Sequence, residues 1–227
     1  MTFDDIFEAY YSLFRADSDV PTSSEDEYTV GMRLANEAIN RWSNYDATYW
    51  KELYTTNQID GTGDQVIVAG QTSYGAPTNF KEAGGSVHII DSSGNRIDKY
   101  KIIEPQQVQF MGDNSQYCYF FGNPKTGYTL KLNPEPSSNY AGYDIDYVYY
   151  KTPSLFTTGT DKAEMADPYF IVHRMLANQF RAARNPYYSS AKADAENALK
   201  QMQMDNNSGT WDNPWELADN SGMQFGV

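Results

Sequence analysis

An α+β fold is predicted by two changes of hydrophobic period along the chain and by a tyrosine count that suits half-buried strands. Residues 2–53 repeat apolar side chains every three or four positions, the spacing of amphipathic helices. Residues 65–150 replace that pattern with short apolar runs separated by Gly, Pro, Asn and Asp, the spacing of strands and turns. Helical spacing returns after Pro153. The expected architecture is a bundle of about four helices, one of them long, with an antiparallel β-sandwich or barrel inserted and an extended C-terminal arm. The expected domains are a helical bundle over 1–60 and 155–206, a β-domain over 61–154 and an arm over 207–227.

The first helix starts at Thr2, an N-cap candidate, with Asp4 and Asp5 in the positively polarised first turn. Ile6, Phe7, Tyr10, Leu13 and Phe14 follow at helical spacing. Residues 17–24, with Pro21 and several Asp, Ser and Thr, read as a linker. Ser24 followed by Glu27 has the pattern of a capping box, and Tyr28, Met32, Ala35, Ile39, Trp42, Tyr45, Tyr49 and Leu53 continue as one long stripe.

Strand-like runs occupy 66–69, 86–90, 100–103, 107–110, 116–121, 128–132 and 143–150. Turns are expected at Asp91–Asn95 and Gly122–Gly127. Asp144 and Asp146 alternate with Ile145 and Tyr147, as in a strand with one solvated face. Asp167-Pro168 opens a third helix with Val172, Leu176 and Phe180 on its apolar face, and Asn185-Pro186 stops it. A last helix follows, with Ala191, Ala195, Leu199 and Met202 on one side. Beyond Asp205 the chain has no period, yet it carries Trp211, Trp215, Leu217, Met223 and Phe225. Solvated tails are poor in such residues, so these five are expected to dock on another subunit.

Composition narrows the function. The 227 residues carry a formal net charge of -13, which repels phosphate and argues against nucleic-acid binding through a basic patch. The 19 tyrosines suit strands and wet protein interfaces. Cys118 is the single cysteine and lies in a strand-like run, where a buried thiol is expected. The acidic, amphipathic start is unlike a secretory signal, and no apolar run is long enough to span a membrane.

Catalytic groups do not converge. His88 and His173 are the only histidines, far apart and each in a structural context. No nucleophile elbow, phosphate loop or dinucleotide fingerprint occurs. Asp144 and Asp146 share a strand face and would be the carboxylates of a glycosidase, but a solvated sheet face explains them more simply. Asp161, Glu164 and Asp167 suit helix entry better than calcium, and Asp91, Asn95 and Asp98 suit a hairpin turn. No enzyme, no cofactor and no metal site is expected. The alternative function is carbohydrate or receptor binding, through Tyr143, Tyr147 and Tyr149 on the sheet.

The order of elements resembles the head-to-tail adaptor (connector) proteins of tailed bacteriophages, of the tail tubular protein A or gatekeeper-like kind. Arg33 through Trp42 looks like that family's long entry helix. Tyr74-Gly75-Ala76-Pro77-Thr78-Asn79-Phe80 is similar to the segment that opens its β-domain. Tyr169–Arg174 through Gln179–Arg181 looks like its penultimate helix, and Asn185-Pro186 stands at its break before an Ala- and acid-rich final helix. The resemblance covers most of residues 25–205. It implies a virion structural protein at the head–tail junction, assembled in the host cytoplasm into a homo-oligomeric ring of twelve copies. The implied partners are the portal protein and a tail or nozzle protein, with genomic DNA passing through the channel without specific binding and no membrane involved.

Overall fold

A computed structural model describes residues 1–15, 19–57, 65–112 and 115–207. The fold is α+β, and the chain divides into two compact units. One comprises Met1–Leu53 and the chain from Pro153 through the last helix; the other lies within Tyr54–Thr152.

The helical unit begins with α1 (Phe3–Phe14). Its expected cap is present as a reciprocal box. Thr2 Oγ1 accepts from Asp5 N–H at 3.2 Å, and Asp5 returns a bond from Thr2 N–H at 2.8 Å. Phe3, Ile6, Phe7, Tyr10 and Tyr11 form the buried face. Each such side chain removed from water contributes roughly 1.5–3 kcal/mol.

Helix α2 (Asp26–Ser43) is shorter than its stripe suggested. Ser24 and Glu27 do not form a capping box. Glu25 instead accepts from Thr22 N–H at 2.6 Å and Thr22 Oγ1 at 2.9 Å, which draws the preceding turn tight. At the other end Asn44 Nδ2 donates to the Asn40 carbonyl at 2.9 Å, and Asp46 and Ala47 take φ of 46° and 50°. That left-handed pair reverses the chain. Tyr45, Tyr49 and Leu53 therefore lie beyond the helix, and Trp50 folds back so that its indole N–H donates to the Trp42 carbonyl at 2.8 Å. The two indoles sit 5.5 Å apart and are buried.

Helix α3 (Tyr169–Ala182) packs against α1, α2 and α4 (Tyr188–Asn207), which makes it the centre of the unit. The helix proper starts one residue after Pro168, but Asp167 still serves its first turn, accepting from Tyr169 N–H at 3.0 Å. Arg184, at φ 52°, ends it in a left-handed turn before Asn185-Pro186. Ala191, Ala195, Leu199 and Met202 are the buried side of α4, and the alanines let it approach α3 closely.

The β unit is one sheet of seven strands curled into a half-barrel, not two stacked sheets. The strands are β1 (Tyr54–Thr56), β2 (Ser73–Gly75), β3 (Phe80–Ile90), β4 (Arg96–Ile102), β5 (Tyr117–Asn123), β6 (Gly127–Asn133) and β7 (Asp144–Lys151). Their order is β1-β7-β3-β4-β5-β6-β2. All neighbours are antiparallel except β4 and β5, which run parallel with Lys101 opposite Tyr117. That reversal needs a crossover, supplied by 103–116. The run at 107–110 is part of this connection. It is a 3-10 helix (Pro105–Phe110), not a strand, because Pro105 fixes φ at its start while Glu104 and Gln107 cap it reciprocally. The run at 66–69 supplies only a bridge, Val66 to Asp144.

Residues 65–75 reach both ends of the curled sheet. Ile145 N–H donates to the Gln65 carbonyl at 2.7 Å on the β7 side, and Leu132 N–H to the Thr72 carbonyl at 2.9 Å on the β6 side. Strand β3 bends at Gly84-Gly85, where Gly85 takes φ 73° and its register with β7 shifts. The interior holds Tyr74, Phe80, Val87, Ile89, Tyr100, Cys118, Leu130, Leu132, Ile145, Tyr147 and Tyr149. Asn57, 1% exposed, completes the edge of β7. Its side chain donates to the Ile145 carbonyl at 2.7 Å and accepts from Tyr147 N–H at 2.9 Å, imitating one more strand residue.

Candidate functional site

The side chains with catalytic potential are dispersed and locally committed. Asp144 and Asp146 lie on β7 opposite Ile90 and His88, on the sheet face away from the core. His88 Nε2 is 3.2 Å from Ser86 Oγ. Partial burial holds its pKa down, helped by Arg96 and Lys99 and opposed by Asp146, so the ring stays neutral at neutral pH. His173 sits within α3, in the helical unit. Cys118 is buried in the sheet interior, which pushes its thiol pKa up and suppresses the reactive thiolate.

The acidic groupings resolve into turns. Asp161 accepts from the N–H groups of Thr157 and Thr158 at 2.6 and 2.7 Å and from both hydroxyls at 2.9 Å. These bonds hold its carboxyl far below the usual range. Glu164 accepts from Ser154, and Asp167 serves α3. Asp91 accepts from Ser93 and Asn95 within the β3–β4 turn, which lowers its pKa. Asp98 accepts from Gln116 at 2.6 Å. No three of these groups converge as metal ligands among the described residues.

The glycan-stacking alternative loses two of its three rings. Tyr147 and Tyr149 point into the interior of the sheet and are buried, because β7 turns its odd-numbered tyrosines toward the core. Tyr143 is half-buried and stacks on Tyr140 at 5.9 Å.

The informative features are surfaces on the helical unit. At one end, the last turns of α1 and α3 meet through Phe14 and Phe180, whose centroids are 6.3 Å apart. Arg15 lies over the Phe14 ring at 5.4 Å, while Arg181 and Arg184 project from the end of α3. Leu13, next to Phe14 in the chain, and Tyr187, three residues after Arg184, are exposed at 61% and 69%. Among the described residues no carboxylate lies within ion-pair distance of these three arginines. Arg41 and Arg174, by contrast, both reach Glu196 at 3.8 Å.

Near the start of α1 the surface is acidic and concave. Asp4 N–H donates to the Gly159 carbonyl at 2.9 Å, and Tyr28 Oη donates to Asp4 at 2.5 Å. Burial and this bond push the Tyr28 pKa up to about 12. Beside them is a cleft of about 470 Å³, lined by Phe7, Val20 and Pro21, by the carboxylates of Asp4 and Glu8, and by hydroxyl side chains from 22–23 and 158–160. Exposed Asp26 and Glu27 lie on the adjoining first turn of α2.

The candidate interface residues Trp211, Trp215, Leu217, Met223 and Phe225 lie outside the described residues. Arg181 and Arg184 are visible in the sequence as a basic cluster on one helix, but neither their meeting with Arg15 nor the acidic cleft is legible there. Arg15 stands far from Arg181 and Arg184 in the chain, and only helix packing brings them together.

A protein-family model described as the SU10 adaptor protein matches residues 1–217. No curated protein matches the chain significantly. No helix among the described residues is long and apolar enough to cross a membrane. The chain belongs to the SU10 adaptor protein family and is a structural adaptor of a phage, located at the head–tail junction of the virion.

Proposed function

We propose that this adaptor is one of twelve copies forming a ring on the distal face of the portal, as in tail tubular protein A and gatekeeper-type adaptors. The ring extends the DNA channel and gives the tail or nozzle protein its docking surface. The observation that carries this reading is the family match along residues 1–217. The physical chemistry agrees with it. A chain of formal charge -13 would, in twelve copies, surround DNA with like charge and let the genome slide past without specific binding.

The C-terminal segment is the proposed anchor, with Trp211, Trp215, Leu217, Met223 and Phe225 as contacts to the portal or a neighbouring subunit. Large aromatic side chains in fully desolvated pockets supply most of the energy of typical interfaces. The test is deletion of residues 208–227, followed by electron microscopy of portal-bearing capsids incubated with the protein. The expected result is a folded protein that no longer occupies the portal vertex. Unchanged occupancy would remove the anchor role, and wild-type density of other than twelve copies would remove the ring stoichiometry.

A further inference from the structure

We infer that adjacent copies join head to tail, with the Arg15, Arg181 and Arg184 end of one helical unit entering the acidic cleft of the next. This rests on the ring reading above and names its subunit interface. A closed ring of identical copies needs two different, complementary patches on each copy, because a heterologous interface repeats one surface against another. Both patches are present on one unit. One offers two exposed apolar side chains, Leu13 and Tyr187, among three arginines. The other lines a cleft with Phe7, Val20 and Pro21 together with the carboxylates of Asp4 and Glu8.

The opposite charge of the two patches, both carried by one chain, commits the occupant to a second copy. Copies of a chain with 30 acidic and 17 basic side chains repel one another at long range. Association between them therefore requires local cations without carboxylate partners of their own, set against carboxylates on the neighbour. Arg15, Arg181 and Arg184 meet that requirement among the described residues, whereas Arg41 and Arg174 are already engaged by Glu196. Arginines at the end of α3 also complement its helix dipole. The dipole does not account for an exposed tyrosine and leucine beside them, and an aromatic flanked by arginine is the composition of an interface anchor.

The test is charge reversal in the full chain, read as oligomer mass in solution and as occupancy of portal-bearing capsids. R181E/R184E and E8K/E27K should each abolish ring formation while leaving the helical circular dichroism intact. The chain carrying all four substitutions should assemble again, since every interface in its ring is reversed together. Wild-type rings should also weaken as salt is raised.

Rings formed normally by both reversal variants would overturn this interface while the ring reading stands. A folded four-fold variant that stays monomeric would overturn the pairing of these two patches. A wild type that is monomeric both in solution and on capsids would overturn the ring reading and this interface with it. Should a reversal unfold the protein, R181Q/R184Q and E8Q/E27Q carry the same test, each expected to raise the subunit concentration needed for assembly about tenfold.

Discussion

The side-chain amide of Asn36 on α2 clamps the backbone of Phe156, donating to its carbonyl at 3.0 Å and accepting from its N–H at 2.8 Å. The two residues are 120 positions apart, so this pair ties the second helix to the chain that returns after the sheet. Phe156 is buried and packs on Phe3 at 5.4 Å, which leaves its peptide groups little access to water. Asn36→Leu keeps the volume and removes both partners. The expected cost is about 1–3 kcal/mol, from an N–H and a carbonyl left without partners. Chemical denaturation followed by helical circular dichroism measures it, and an unchanged midpoint would refute the clamp.

Gly31 is set by packing rather than by backbone angle. A Cβ there would clash with the ring of Phe7, and Phe7 is buried against Tyr28 at 5.1 Å. Alanine would favour the helix by about 1 kcal/mol, but overpacking costs about 1–3 kcal/mol. Gly31→Ala is therefore expected to be net destabilising despite the better helix former. Pairing it with Phe7→Leu should cost less than the two single changes summed, as the clash is relieved. Additive behaviour in a double-mutant cycle would argue against the contact.

Asp161 predicts an acid limb of stability. Four hydrogen bonds from Thr157 and Thr158 hold its folded pKa below the ordinary 3.8. The unfolded chain therefore takes up the proton first as the pH falls. Its stabilising contribution is complete above about pH 3.8 and is lost progressively below it, toward the folded pKa. Asp161→Asn should lower stability at neutral pH and flatten the decline below pH 3.8. Parallel pH profiles for the variant and the wild type would show that Asp161 is not the group responsible.

Much of the fold is legible locally. Thr2 and Asp5 form the cap that their spacing suggests, and Asp91 makes the turn between β3 and β4. Cys118 is buried, as the thiol of a strand-like run is expected to be. Caps and turns depend on residues within a few positions of each other, so their chemistry is written in short stretches. The stripe through Leu53 misled because period alone cannot register the left-handed Asp46 and Ala47, nor the return of Trp50 onto Trp42. Residues 107–110 misled because their apolar character masked the Pro105 entry and the Glu104–Gln107 cap.

The amino-acid order alone determined the α+β class, the acidic balance and the helix and turn starts, since these follow from side-chain period, charge and short-range hydrogen bonding. It also carried the resemblance to phage adaptors. Only the tertiary structure decided that β4 and β5 run parallel, that Tyr147 and Tyr149 face inward, and that Phe14 meets Phe180 and so gathers Arg15, Arg181 and Arg184 at one end. Those facts depend on which distant segments pack together, and packing is chosen by the burial of the whole apolar surface rather than by any local stretch.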